Sequence, residues 1–251
     1  MNPDLQHVLT EKLLALGDDE LVLGHRDSEW AGHAPILEED IAFGNVALDE
    51  MGHAMLWYNL RRDLTGDDPD RLVYFRDPAA YRNLQMVELP KGDWAFTIAR
   101  QYLFDAAEGV FLAQLAHSQY WPLAEVAAKI GREELYHYRH SSNWVKRLGL
   151  GTAESHRRMQ AALDELWPYT AQVFAPLPHE RLLVEAGFVP DPNTLRSTWL
   201  TTVAPFLRES GLDVPAHGGD PAAGRDQHTE YLTPLLTDLQ EVARYDPTAE
   251  W

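Results

Sequence analysis

The sequence predicts an all-α protein built on four long helices in two hairpins. Three observations carry this reading. Apolar residues recur at helical spacing through most of the first 150 residues. The interruptions fall at short stretches rich in Gly, Pro, Asp and Ser. No paired runs of alternating apolar and polar residues announce strands.

The first helix runs through "NPDLQHVLTEKLLALGDDELVLGHRDSEW". Leu5, Val8, Leu9, Leu13, Leu16 and Leu23 keep its period, and Asn2-Pro3 reads as an N-cap followed by proline at the first helical position. "AGHAP" breaks it. The second helix, "ILEEDIAFGNVALDEMGHAMLWYNLRRDL", is ended by "TGDDPD". From Arg71 to Gly92, with Pro78 and Pro90, the chain reads as a connection with short elements. The third helix is "DWAFTIARQYLFDAAEGVFLAQLAH", broken by "SQYWP". The fourth spans about Pro122 to Leu148 and stops at "GLGT". A fifth covers "TAESHRRMQAALDELWPYTAQVF". A short helix to Ala186, one near 194–209 and a last one from about His228 to Ala243 complete the chain. The glycines of "AHGGDPAAGRD" lack both the GK[ST] ending and the preceding strand of a phosphate loop. Two hairpins joined by a long crossover are a known variant of the four-helix bundle. We expect one domain over 1–251, with the bundle at about 3–150 and a helical extension at about 151–251.

Composition narrows the function. Asp and Glu number 39 against 21 Lys and Arg, a net charge of −18. That balance argues against nucleic acid and against anionic membrane surfaces as partners. No apolar run approaches bilayer length, and no basic-then-apolar leader opens the chain, so a cytoplasmic location is expected. There are no cysteines. Iron–sulfur clusters and thiolate sites are therefore excluded, and any metal must use carboxylates and histidines.

Such a set is present. Glu50-x-x-His53 lies on the second helix and Glu134-x-x-His137 on the fourth, each preceded by an acid, Asp49 and Glu133. One Glu-x-x-His is common as a solvated charge pair. Two, on corresponding helices of a bundle, match the dinuclear carboxylate pattern, which also needs one acid from each remaining helix. Residues at one level of an antiparallel hairpin are equally distant from its turn. About a turn at Pro35 the partner of Glu50 is Glu20. About a turn near Tyr120 the partner of Glu134 falls near residue 106, between Asp105 and Glu108. Carboxylates set among Leu21, Val22, Leu103 and Phe104 are rarely buried without compensation, which two divalent cations would provide. Iron or manganese suits oxygen and imidazole donors. Asp49 and Glu133 read as acceptors for the ring N–H groups of the histidines, or as plain helix-surface charge.

Longer stretches carry a resemblance: "SEWAGHAPILEEDIAFGNVALD", "LPKGDWAFTIARQYLFDAA", "RLGLGTAESHRRMQAALDELWPYTAQVF", "LRSTWL", "HTEYLTPLLTDLQ" and the terminal "EW". The sequence resembles the bacterial multicomponent phenylacetyl-coenzyme A oxygenases, which form the 1,2-epoxide of the aromatic ring, and among them the C-type subunit. The resemblance implies a ferritin-like fold and an oligomer, homo- or hetero-. It implies a catalytic A-type partner holding the di-iron site, a small B-type subunit, a separate reductase and an acyl-coenzyme A substrate. C-type subunits often carry other residues where this chain has Glu20, Glu50 and His53. The full set Glu20, Glu50, His53, Asp105, Glu134, His137 looks like the A-type pattern, and the resemblance favours Asp105 over Glu108. Three readings follow: an epoxidase subunit with a retained dinuclear site, a metal-free interaction subunit, and an independent di-metal oxidase, catalase or iron-storage protein.

Overall fold

The computed structural model describes residues 1–216 and 223–249. Residues 217–222, inside the Gly- and Pro-rich loop, and the terminal Glu250-Trp251 lie outside the described residues. Among the described residues all regular structure is helical: α1 (Pro3–Ser28), α2 (Leu37–Thr65), α3 (Pro69–Tyr74), α4 (Gln85–Glu88), α5 (Trp94–Leu115), α6 (Trp121–Gly149), α7 (Ala153–Leu166), α8 (Thr170–Val173), α9 (Arg181–Glu185), α10 (Pro192–Glu209) and α11 (Leu232–Tyr245). The chain divides into two compact units, residues 1–90 with those from 224 onward, and residues 91–223. Each holds one of the expected hairpins.

In the first unit α1 starts as its sequence dictates. The Asn2 side chain accepts from the backbone N–H groups of Asp4 and Leu5, and Pro3 needs no donor in the first turn. α2 stops at Gly66, whose φ of +79° closes the helix in the left-handed conformation. The two helices run antiparallel. Gln6 donates to the Leu64 carbonyl at the open end, and Gly24 lies against Ala47 towards the turn. Their backbones approach closely. A Cβ on Gly17 would sit 2.6 Å from the Tyr58 ring, and one on Gly24 3.0 Å from Glu50 Cβ. Leu9, Leu13, Leu23, Phe43 and Trp57 fill the seam.

The last helix begins four residues later than the sequence suggests. His228 and Thr229 are committed elsewhere. Thr229 gives both its N–H and its hydroxyl to the buried Glu88 carboxylate, at 2.6 and 2.7 Å, and His228 Nδ1 lies 2.7 Å from the other oxygen. A backbone N–H spent on a distant carboxylate is positioned by that contact, so helix begins only beyond it. α11 is then held to the crossover by Gln240, which donates to the carbonyls of Val73 and Arg76.

In the second unit Asp93 caps α5 by accepting from the Phe96 N–H. α5 and α6 are also antiparallel. Trp94 meets Trp144 edge-on at 5.5 Å at one end, and Leu112 faces Gly131 towards the turn. The expected fifth helix is divided. α7 ends at Leu166, a 3₁₀ turn covers Trp167–Tyr169, and α8 is a separate short helix. Pro168 explains the break, because it lacks an N–H and its ring crowds the preceding turn. The break turns Trp167 onto Trp199 of α10, with ring centroids 5.3 Å apart.

Candidate metal centre

The first hairpin buries Glu20, Glu50 and His53, none more than 2% exposed. One donor atom from each lies within 4.8 Å of the others. His53 Nδ1 is 3.6 Å from Glu50 Oε2 and 4.0 Å from Glu20 Oε2. Ligands bound at about 2 Å to one ion are separated by up to about 4 Å, so these three suit a single cation. Three residues apart on α2, Glu50 and His53 share a face. Glu20 comes from α1 opposite, where Gly24, one turn on, lets the helix backbone approach Glu50. Trp57 Nε1–H, one turn past His53, donates to Glu20 Oε1 at 3.4 Å.

The second hairpin carries the same residue types at matching positions. Asp105, Glu134 and His137 are likewise at most 2% exposed. His137 Nδ1 is 2.7 Å from Glu134 Oε1. Asp105 on α5 is fixed at both oxygens. Gln101 donates to Oδ1 at 2.8 Å, and Ser141, one turn past His137, donates to Oδ2 at 2.6 Å. Asp105 and Glu134 line one common cleft of this unit. Above it Tyr102 stacks on Tyr138 with centroids 5.9 Å apart. Burial, with the Asp105 charge adding to it, pushes both phenols above their ordinary range.

In each hairpin, therefore, the residue four after the histidine donates to the carboxylate on the opposite helix. Trp57 and Ser141 are not conspicuous in the sequence, and neither is Gln101. Their signal is a spacing that acquires meaning only once the acid across the hairpin is known. The remaining expected residues separate. Glu108 is buried one turn beyond Asp105, Asp49 is half-buried and Glu133 is exposed.

The acidic run Asp18-Asp19-Glu20 faces inward throughout. Asp18 accepts from the Tyr58 hydroxyl, the Arg76 guanidinium and the Arg82 N–H. Asp19 accepts from the Leu84 N–H at 2.6 Å and from Arg225 at 2.7 Å. Burial nevertheless raises the Asp19 carboxyl above the usual range, against the lowering effect of Arg225. Of the three, Glu20 is the one that turns towards the histidine.

Two buried sets of two carboxylates and one imidazole fit iron or manganese by donor chemistry. Lacking any sulfur ligand, they do not fit an iron–sulfur group.

Comparisons with known proteins place the chain in a family. A family model described as phenylacetic acid catabolic protein matches residues 1–251. The chain is 40% identical over 245 residues to the C-type subunit of the 1,2-phenylacetyl-CoA epoxidase of Escherichia coli strain K12, covering 97% of this chain and 99% of that one. It is 24% identical over 150 residues to the A-type subunit of the same epoxidase, covering 60% of this chain and 48% of the other. A match along the whole length, with the acids and histidines of both hairpins inside it, places the chain by descent: it belongs to the phenylacetic acid catabolic protein family.

Proposed function

We propose that this chain is the C-type subunit of a multicomponent oxygenase that epoxidises the ring of phenylacetyl-coenzyme A, and that it retains a dinuclear metal site. The observations that support the site are the burial, in both hairpins, of a Glu-x-x-His pair and of one carboxylate on the neighbouring helix, and the close approach of donor atoms from Glu20, Glu50 and His53. In this reading the chain has a ferritin-like helical fold. Glu20, Glu50 and His53 of the first hairpin and Asp105, Glu134 and His137 of the second would hold the metal. Asp49 and Glu133 serve the histidine N–H groups from outside.

A bound di-iron centre supplies activation of dioxygen. The protein's own contribution is rigidity and dryness. Ser141 and Gln101 hold Asp105 in one orientation, Trp57 holds Glu20, and Phe43, Phe104 and Trp57 exclude water from the surrounding core. Electrons come from a separate reductase, because the chain has no cysteine and no dinucleotide fingerprint. A catalytic A-type partner and a small B-type partner complete the working complex. Its location is cytoplasmic, in keeping with the absence, among the described residues, of any helix long and apolar enough to cross a membrane.

Pairing with an A-type partner has support on the surface of α2. Leu37, Ile41, Leu48 and Met55 are all exposed and recur at spacings of four and seven. One stripe of unpartnered apolar side chains on a long helix suits a protein partner.

Elemental analysis of the pure chain, reading iron and manganese separately, tests the metal site. Wild type should hold close to two ions per chain, and Glu50→Ala and His137→Ala should hold none. Metal content unchanged in both variants sinks the ligand assignment. Copurification with the A-type partner and no metal in wild type leaves the interaction role alone. Ile41→Asp with Leu48→Asp should abolish copurification while leaving the far-UV spectrum intact.

A further inference from the structure

Three consecutive carboxylates of α1 are buried, and one of them is a candidate ligand. Successive side chains leave a helix about 100° apart, so Asp18, Asp19 and Glu20 spread over about 200° of its circumference. Glu20 turns to His53, with Oε2 4.0 Å from Nδ1. Asp18 and Asp19 turn to other partners. Burying a carboxylate is strongly disfavoured unless something specific receives it, and two more of them beside Glu20 call for a reason beyond packing.

Both are anchored. Asp18 accepts from the Arg76 guanidinium at 3.0 Å and from the Arg82 N–H at 2.8 Å. Asp19 accepts from the Leu84 N–H at 2.6 Å, and Arg225 Nη1 lies 2.7 and 2.8 Å from its two oxygens. The same nitrogen is 3.0 Å from the Arg82 carbonyl. Arg225 stands 206 residues from Asp19. It belongs to the segment that His228 and Thr229 fasten to Glu88. One guanidinium thus joins that segment, the crossover and α1.

The consequence falls on Glu20. Side-chain ends lie about 5–6 Å from a helix axis, so turning α1 by about 20° carries a carboxylate through about 2 Å. Metal–ligand distances hold to within about 0.2 Å. The Trp57 bond to Glu20, at 3.4 Å, is a weak constraint on such a turn. The charge-assisted bonds at Asp19, one residue away, are shorter and stronger.

We propose that Arg225 is a positioning residue of the metal site: through Asp19 it fixes the rotation of α1 that points Glu20 at His53. That Glu20 is a ligand rests on the function proposed above, whereas the rotation of α1 requires no metal.

Two measurements on the full, metal-stripped chain test this. One is the Trp57 indole N–H resonance in ¹⁵N-tryptophan-labelled protein, identified by its loss in Trp57→Phe. The other is affinity for added cobalt(II) in competition with a chelator. Arg225→Met keeps the apolar stem and removes the cation. It should move the Trp57 resonance upfield and weaken cobalt binding by about 10–100-fold. Arg225→Lys should restore most of both. Leu236→Ala is the control, a core truncation that removes apolar burial from α11 and no polar contact. It should lower the melting temperature and leave resonance and affinity unchanged. If Arg225→Met does not fold, Asp19→Asn with Arg225→Met removes both charges and should move the same resonance. A wild type that binds no cobalt, with the resonance moved in Arg225→Met alone, upholds the rotation and removes the metal reading. An unmoved resonance in Arg225→Met overturns the proposal. So does an equal movement in Leu236→Ala, which would make the effect general loosening, or cobalt affinity in Arg225→Met equal to that of a binding wild type.

Discussion

The two hairpins place the same Glu-x-x-His pair on the second of two antiparallel helices, but they surround it differently. In the first, the Trp57 indole donates a long hydrogen bond to Glu20 at 3.4 Å, and α1 and α2 are pressed together at Gly17 and Gly24. In the second, Asp105 is held at both oxygens, at 2.8 and 2.6 Å, and the helices leave a cleft at Gly109 and Gly131. The first half is closed, with Glu20 set against the Trp57 indole. The second is open and anchors its acid firmly. A carboxylate that must keep its orientation beside a cleft needs fixing by hydrogen bonds, whereas one packed under an indole ring is confined by its neighbours.

The largest expected effect tests whether the halves are equivalent. His53→Ala and His137→Ala should each empty the site, as measured by iron per chain. A variant that leaves the count at two excludes its hairpin from the site. Next comes the difference in anchoring. Loss of a group that orients a ligand lowers metal affinity by about 10–100-fold. Ser141→Ala should fall in that range in a competition titration with a chelator. Trp57→Phe should change affinity only a few-fold, given its longer bond. Equal losses would show the two anchors to be equivalent.

Packing gives a smaller and oppositely signed pair. Gly24→Ala forces a Cβ to 3.0 Å from Glu50 Cβ and the Ala47 carbonyl, and should destabilise by roughly 1–3 kcal/mol. Gly131→Ala meets nothing closer than 3.9 Å and should stabilise by about 1 kcal/mol. Chemical denaturation measures both. The smallest effect is alkaline. Tyr81, buried in the first unit, donates to the Val73 carbonyl, and burial raises its hydroxyl from 10.0 to about 12. A raised folded value means that the folded state keeps its proton while the unfolded chain loses it. Stability should therefore be intact below pH 10 and decline from there towards pH 12. Tyr81→Phe should flatten that decline, with the melting temperature followed against pH. An unchanged slope would show that another group sets it.

Much of this was legible in the sequence. The helix starts at Asn2-Pro3 and Asp93 and the stop at Gly66 follow from local rules, because caps and left-handed glycines act within a few residues. Five of the candidate ligands followed from helix period and hairpin symmetry, which fix the level and face of a side chain before any packing is known, and the family resemblance chose Asp105 over Glu108 as the sixth. The break at Trp167–Tyr169 could have been read from Pro168, but the strong helical period around it masked the signal.

What the sequence by itself determined is the set of helices, their capped ends and the candidate donors. All of these depend on neighbours a few positions apart. Only tertiary structure decided that Asp18 and Asp19 bind Arg76 and Arg225 while Glu20 faces His53. The same is true of α11 waiting for Thr229 to satisfy Glu88, and of Gly131 facing space where Gly24 faces a helix. The physical reason is common to all three. Burial of a charge or loss of a side chain is acceptable only with a particular partner, or a particular void, supplied by residues far along the chain.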